Sequence, residues 1–376
     1  MNSPPLRDII IVGGGLAGLL NAIQLAEAGL SVLVIEKKAY PFHRVCGEYI
    51  SNEVVPFLRS VRAYPASLNP VAIRTFQLTS ASGRSSTMPL DLGGFGISRY
   101  SLDYFLYQRA QEAGAVFCLD TQVQDIIFQN GRFIVTLPQG EQQEASLVIG
   151  AYGKRSRLDK QLRRRFIEQR SPYIGVKYHV IADVPEDQIA LHNFEGGYCG
   201  ISRVEAGRYN LCYLGSRASL RRHGSLAAME ERILWKNPYL KEIFQQAEFL
   251  LEKPEVINEI SFAAKRPVVQ HVLMSGDTAG LITPLCGNGM ALAIHSAKLL
   301  AELIIRHYRP AGFDREALER VYTQEWNKRF AARLRVGRNV QRLFGRGWVS
   351  EIGVQLIKTF PGVAGQLMRR THGEVF

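Results

Sequence analysis

Apolar residues along this chain fall into three kinds of run, and their order divides it into regions. Asp8 is followed by Ile9-Ile10-Ile11-Val12, a continuous apolar run of strand length that predicts a short buried strand. The alanine- and leucine-rich stretch from Leu16 to Ala28 predicts a helix that Gly29 stops, and Ser31–Glu36 predicts the next strand. Glu144–Ile149 is a further apolar strand. Between about Ser171 and Ala263 the period changes to two. Tyr173–Val180, Gln188–Asn193, Gly197–Val204 and Arg208–Leu214 alternate as a sheet with one covered face requires, and Ala227–Trp235 and Tyr239–Gln246 are helical. Val272–Asp277 returns to the first pattern. A long helix then runs from Met290 to about His307, and from Arg315 down to Arg370 the sequence is largely helical and strongly basic.

The connecting segments read as follows. Lys37 to Glu48 is a loop broken by Pro41 and Gly47, leading to a helix over Asn52–Arg59. Ala72 to Gly96 is strand-like with Ser, Thr and Gly turns. A helix over Tyr104–Ala113 ends at Gly114, with Ser101 as its N-cap. Val116–Leu119, Thr121–Gln129 and Arg132–Leu137 are strands, the last two a hairpin over Asn130-Gly131.

The glycines between the first strand and helix carry chemistry. Gly13, Gly15 and Gly18 have G-x-G-x-x-G spacing, and Glu36 stands at the tip of the second strand. In that context Gly13 permits the tight turn, Gly15 lets a pyrophosphate approach the backbone, and Gly18 lets helix and strand pack closely. The helix start offers N–H groups and a positive dipole end to phosphates, and Glu36 can accept from a ribose hydroxyl. Strand, helix, second strand and acid together predict a dinucleotide site, and its position at the start of the chain points to FAD rather than NAD. The loop after Glu36 is expected to cross the cofactor. There Arg44 pairs with a phosphate or sits near the flavin, and Cys46 is either an active-site thiol or a small filler. No second G-x-G-x-x-G exists, so a separate nicotinamide domain is not expected.

Composition narrows the class. A length of 376 residues suffices for two domains or one large two-lobed unit. Cys46, Cys118, Cys199, Cys212 and Cys286 are odd in number and free of C-x-x-C spacing, which argues against a disulfide framework, a zinc site or a dithiol pair. No apolar run approaches membrane-spanning length, and no signal-peptide pattern opens the chain, so a cytoplasmic location is expected. The net charge of +12 concentrates between Lys154 and Arg170 and after Lys328. No nucleic-acid-binding motif accompanies it, and no nucleic-acid partner is expected. Phe330–Phe344 carries Arg333, Arg335, Arg338 and Arg342 among Leu334, Val336, Val340 and Leu343. That stretch can lie on an anionic membrane or a docking partner, or pack one apolar stripe on the domain, and both readings stay open.

In order and spacing, four motifs resemble the superfamily of FAD-dependent hydroxylases and geranylgeranyl reductases, which also holds the flavin-dependent halogenases. They are Gly13-x-Gly15-x-x-Gly18 with Glu36, Arg44-x-Cys46-Gly47-Glu48, Arg99-x-x-x-Asp103, and Gly276-Asp277-x-Ala279-Gly280 with Pro284-x-x-Gly287-x-Gly289, spread over roughly residues 7–310. The resemblance implies an α/β fold: a Rossmann-type, glutathione-reductase-like FAD-binding domain with an inserted mixed β-sheet substrate domain and a helical C-terminal region. Residues 1–70, 97–160 and 265–312 would form the first, 71–96 and 161–264 the second, and 313–376 the basic third.

The same resemblance implies roles. Asp277 hydrogen-bonds the ribityl chain, and Arg99 lies near the phosphates or ribityl chain. Pro284 to Gly289 runs beneath the pyrimidine edge, and the helix from Met290 points its N-terminus at the flavin. Leu16, Ala17, Lys37, Gly47, Gly153, Gly287 and Asn288 complete the expected cofactor contacts. Tyr152 stands where the family has the aspartate of an Asp-Gly pair linked to FAD and NAD(P)H binding, which weighs against direct reduction by NAD(P)H. Tyr198, Cys199 and Tyr213 on the sheet, with Leu285 and Cys286 near the flavin, are the candidate catalytic pocket. The leading expectation is a FAD-dependent monooxygenase, with NAD(P)H as possible electron donor, acting on a lipophilic or aromatic, polyketide- or isoprenoid-derived molecule. A C=C reductase fed by a reductase or carrier-protein partner is the alternative, ahead of a halogenase or a non-catalytic flavoprotein. Peripheral membrane association through the basic C-terminal helices is compatible with either.

Overall fold

A computed structural model describes residues 6–169, 171–258, 260–283, 288–343, 347–359 and 375–376. The run after Asp8 forms strand β1 (Arg7–Val12), helix α1 (Leu16–Glu27) follows, and β2 (Val32–Ile35) lies parallel to β1. The chain then leaves this sheet through β3 (Tyr49–Ser51), α2 (Val55–Ser60), β4 (Val71–Thr79) and β5 (Ser85–Gly96). It returns by α3 (Arg99–Glu112) to β6 (Val116–Cys118), the hairpin β7 (Asp125–Gln129) with β8 (Arg132–Thr136), and β9 (Gln142–Gly150). After α4 (Leu158–Gln161) it crosses again into β10 (Tyr173–Ile181), β11 (Gln188–Phe194), β12 (Gly197–Arg203) and β13 (Tyr209–Ser216). Three helices follow, α5 (Arg217–His223), α6 (Leu226–Ile233) and α7 (Pro238–Gln246), then β14 (Glu248–Phe249) and β15 (Glu255–Asn258). The strands β16 (Val268–Val269) and β17 (Val272–Met274) rejoin the first sheet, and α8 (Gly289–His307), α9 (Arg315–Leu343) and α10 (Gly347–Thr359) close the fold.

Two mixed sheets result. The first has the order β16-β17-β9-β1-β2-β6 with the β7–β8 hairpin on β9, and its central pairs β17–β9–β1–β2–β6 are parallel. Parallel strands joined by α1 place the ends of β1 and β2 at one edge, where such sheets bind ligands. The second has the order β14-β10-β13-β12-β11-β4-β5-β3 with β15 on β10, antiparallel except for β11–β4. Its alternation resolves into two faces. Val176, Tyr178, Ile201, Leu211 and Tyr213 pack against Met229, Leu234 and Leu240 of the covering helices. The other face carries Tyr198 and Leu214, which meet Ile260 and Leu281 of the returning chain.

Several expectations shift. The strand β3 and helix α5 lie where no regular element was expected, the first because three residues beside a loop give no readable period. Helix α3 starts at Arg99 rather than Tyr104, and its cap is Ser98, whose hydroxyl accepts from the Ser101 amide. Glu205 fixes this start from the second sheet, accepting from the Ser98 amide at 2.8 Å and the Ser101 hydroxyl at 2.7 Å.

The basic C-terminal stretch packs one apolar stripe inward along α9. Leu318, Tyr322, Trp326, Phe330 and Leu334 recur every four residues and are all buried. Tyr322 donates to the Met274 carbonyl at 2.5 Å, and a side chain at Gly280 would come within 2.8 Å of Leu334, so α9 seals the segment that follows β17. Trp326 stands in the middle of this seal, its ring centroid 4.5 Å from that of Phe330. Trp326→Ala should therefore lower stability by about 3–5 kcal/mol, read as a shift of the urea unfolding midpoint, through the cavity it leaves.

Candidate active site

The turn between β1 and α1 has the geometry its glycines predict. Gly13 has φ +106°, and a Cβ there would lie 2.5 Å from the Ala151 carbonyl oxygen. A Cβ at Gly18 would lie 2.0 Å from the Gly13 carbonyl oxygen. At Gly15, by contrast, it would meet only the Arg99 guanidinium at 3.6 Å, so space remains between this backbone and Arg99. Leu16 and Ala17 form the first turn of α1, whose start carries no side-chain cap.

Charged side chains ring this turn. One Glu36 carboxylate oxygen accepts from the Gly14 amide at 2.7 Å and from Arg44 at 3.2 Å. Arg44 also donates to Asp103 at 3.0 Å, and Arg99 binds Asp103 with two bonds of 2.7 and 2.8 Å. Cys46 lies at the Arg99 guanidinium. The other Glu36 oxygen, Oε1, is buried with no partner among the described residues. A buried carboxylate oxygen left unpaired beside an otherwise satisfied network is an acceptor prepared for a donor such as a ribose hydroxyl. Lys37 and Gly47 are exposed at the rim.

A second wall comes from the ends of β9 and β17. Gly153, with φ +88°, donates its amide to the Thr278 hydroxyl at 2.8 Å. Asp277 sits in the turn between β17 and Gly280, and its carbonyl accepts from Lys265 at 2.8 Å. Burial, with help from the Arg164 charge, pushes the Lys265 ammonium down to about 8. Asn21, Ser275 and Ser296 are hydrogen-bonded in a row that pins this turn between α1 and α8. Asn288 precedes α8, fully buried, donating to Glu53 at 3.2 Å while its own oxygen has no partner among the described residues; Gly289 and Met290 open the helix. Pro284, Leu285, Cys286 and Gly287 lie outside the described residues.

The two tyrosines expected in one pocket do not share it. In the β12–β13 register Tyr198 faces Leu214 and Cys199 faces Tyr213, so Tyr198 and Tyr213 point to opposite faces. Tyr213, with Cys199, belongs to the helix-covered core, where its hydroxyl donates to Glu230 at 2.8 Å. That corrects its assignment to the pocket. Tyr198 is on the face that meets Leu281. On that face Lys177, Cys212, Gly200 and Leu191 form one row across the sheet. A side chain at Gly200 would meet only strand carbonyl oxygens at 3.8 and 3.9 Å, so open space stands over it.

The glycine turn, Glu36 and the Asp277 turn coincide with a family model described as an FAD-binding domain, which matches residues 7–335. The chain belongs to that family. It binds FAD and is an FAD-dependent oxidoreductase. It is 27% identical over 349 residues to digeranylgeranylglycerophospholipid reductase 2 of Methanothermobacter thermautotrophicus, covering 89% of this chain and 85% of that protein. It is 23% identical over 316 residues to menaquinone reductase of Mycobacterium tuberculosis, covering 79% and 76%. In fold it is similar to a geranylgeranyl bacteriochlorophyll reductase-like protein of Thermoplasma acidophilum, with TM-score 0.77, 18% identity and coverage of 98% and 100%. A flavin-dependent brominase is similar at TM-score 0.75, 18% identity and coverage of 98% and 93%.

Beside this site lies a charged cluster that was not singled out from sequence, although Glu48 stands in the Arg44–Glu48 motif. Glu48, Lys177 and His179 are all buried, and one Glu48 oxygen accepts from the Lys177 ammonium and from the Arg99 amide at 2.8 Å. The other accepts from His179 Nε2 at 2.7 Å. Burial alone would raise the Glu48 pKa, but the Lys177 charge and the His179 bond outweigh it and hold the carboxyl below its ordinary range. A readable signal existed: two ionisable residues at i, i+2 in the strand Tyr173–Ile181, whose other positions are mostly apolar.

Glu48→Gln leaves Lys177 buried beside a neutral amide and should cost about 3–5 kcal/mol in urea unfolding. Adding Lys177→Met should recover part of that loss. Because the folded pKa is depressed, the unfolded chain takes up the proton first on acidification. The wild-type advantage over Glu48→Gln should thus be complete above the ordinary carboxylate range and disappear as pH falls below it.

Proposed function

We propose that this protein reduces carbon–carbon double bonds of a lipophilic, isoprenoid-type substrate, with its flavin reduced by a separate carrier. The observation that carries this reading is the open space over Gly200, bordered on the same face by Leu191, Tyr198 and Leu214, the last two packed against Leu281 and Ile260. Apolar neighbours of this kind suit an alkene chain and exclude water from it. The name of the Methanothermobacter relative supports reduction ahead of the oxygenation that the hydroxylase-like motifs lead one to expect. When bound, FAD supplies the hydride chemistry, so no protein nucleophile is needed.

The chain's own residues bind and orient. Glu36 Oε1 is suited to a ribose hydroxyl, and the space between Gly15 and Arg99 to the pyrophosphate. Asp277, Gly153 and the start of α8 at Asn288–Met290 are suited to the ribityl chain and the flavin, where a positive helix end favours negative charge. A carrier as donor is supported by Tyr152, which replaces the family's aspartate and donates to Asp159 at 3.3 Å. Peripheral contact with a membrane belongs to the same reading, since a lipophilic substrate resides there.

The deciding experiment incubates chemically reduced holoprotein anaerobically with polyprenyl alkenes. The expected product gains two hydrogens per double bond; product hydroxylation coupled to oxygen uptake would overturn the reading in favour of a monooxygenase. Glu36→Ala should weaken FAD binding by about 10- to 100-fold in a flavin-fluorescence titration, as loss of a charge-assisted hydrogen bond requires. Gly200→Leu should raise the substrate KM or abolish turnover while FAD affinity stays as in wild type.

A further inference from the structure

Helix α10 turns three large apolar residues outward. A surface helix ordinarily puts its apolar stripe on the core. Here Ser350 and Val354 are buried on the β4–β5 side, with the Ala81 amide donating to Ser350 at 3.3 Å and Arg84 at 3.6 Å from Glu351. Trp348, Ile352 and Leu356 stand 60%, 57% and 39% exposed. At 3.6 residues per turn these three form one ridge on the side opposite Ser350 and Val354.

Charge gathers in the same part of the chain. From Lys328 to Phe376 the sequence has ten Lys and Arg against two Asp and Glu, a net +8 of the chain's +12. Exposed Arg335 on α9 and Lys358 on α10 take part in no ion pair among the described residues. So much like charge opposes a second copy of this chain on the ridge and favours an anionic surface.

We propose that α10 is the helix by which this protein lies on an anionic lipid bilayer. Trp348, Ile352 and Leu356 enter the boundary between head groups and chains, where a tryptophan ring is well suited, and the basic residues of the C-terminal region engage the lipid phosphates. The purpose of such docking rests on the lipophilic-substrate reading above, whereas its geometry does not.

The test is co-sedimentation of the FAD-loaded full chain with phosphatidylglycerol-containing vesicles and with pure phosphatidylcholine vesicles. Binding is expected to the first and not the second, to weaken as salt is raised, and to fall at least about tenfold in Trp348→Ser/Ile352→Ser. Tryptophan emission should shift to the blue and be quenched by brominated lipid, because Trp326 is buried and Trp348 is the most exposed of the three tryptophans. FAD content and the thermal melt of the variant serve as folding controls. If the double variant fails them, Lys358→Glu should by itself weaken binding. Wild-type protein that stays in solution, a variant that binds undiminished, or a ridge-dependent dimer without vesicle binding would each overturn the proposal. Failure of the reductase reading is separable: vesicle binding would persist while detergent-solubilised alkenes stay unreduced.

Discussion

An ionised carboxylate can be buried only where cations and donors meet it, and at Glu48 this requirement ties the two sheets together. The carboxylate belongs to the loop that crosses from β2 toward β3, while Lys177 and His179 belong to β10, 129 and 131 residues further along. The Arg99 amide binds the same carboxylate, so the first turn of α3 is held as well. A displacement of the second sheet would strand one negative and one positive charge in a low-dielectric interior. The row Lys177–Cys212–Gly200 is therefore held in place relative to Arg44, Cys46 and Arg99. Packing alone would resist separation, but it would not select a single register as a buried charge pair does.

The same logic gives meaning to an unpaired carboxylate oxygen in the cradle. Arg44 bridges Glu36 and Asp103, Arg99 clamps Asp103 twice, and the Gly14 amide takes the inner Glu36 oxygen. With every neighbour satisfied, Glu36 Oε1 cannot be relieved by a small rotation without breaking another bond. It is an acceptor held ready, and the space at Gly15 lies on the same turn.

What the sequence made legible was whatever depends on neighbours in the chain. Gly13 and Gly18 are needed for local closure, so their spacing sufficed to find the turn and the acid beyond it. The alternation of the middle region announced a half-covered sheet, but period two does not say which parity faces the cofactor, and Tyr213 was assigned to the wrong side for that reason. The cap of α3 was missed because Glu205, more than a hundred residues away, helps fix the start at Ser98. Glu48 lay within a recognisable motif, yet its partners are long-range, and pairing across such a distance leaves no periodic trace. The segment at Pro284 to Gly287, expected beneath the flavin, lies outside the described residues.

The C-terminal helices show the same limit in another form. Periodicity reports that an apolar stripe exists, not whether another element covers it. In α9 the stripe through Trp326 and Leu334 is covered by α8 and the Gly280 segment, which leaves arginines as the outer surface. In α10, short and packed through Ser350 and Val354, the covered side is the smaller and more polar one, and the larger residues face out. Exposing three large apolar side chains to water is unfavourable unless water is not their usual surroundings. Placed in a segment that holds most of the chain's excess positive charge, they describe a surface suited to a medium apolar below and anionic above. Under the proposed function, that medium is also where the isoprenoid-type substrate would be found.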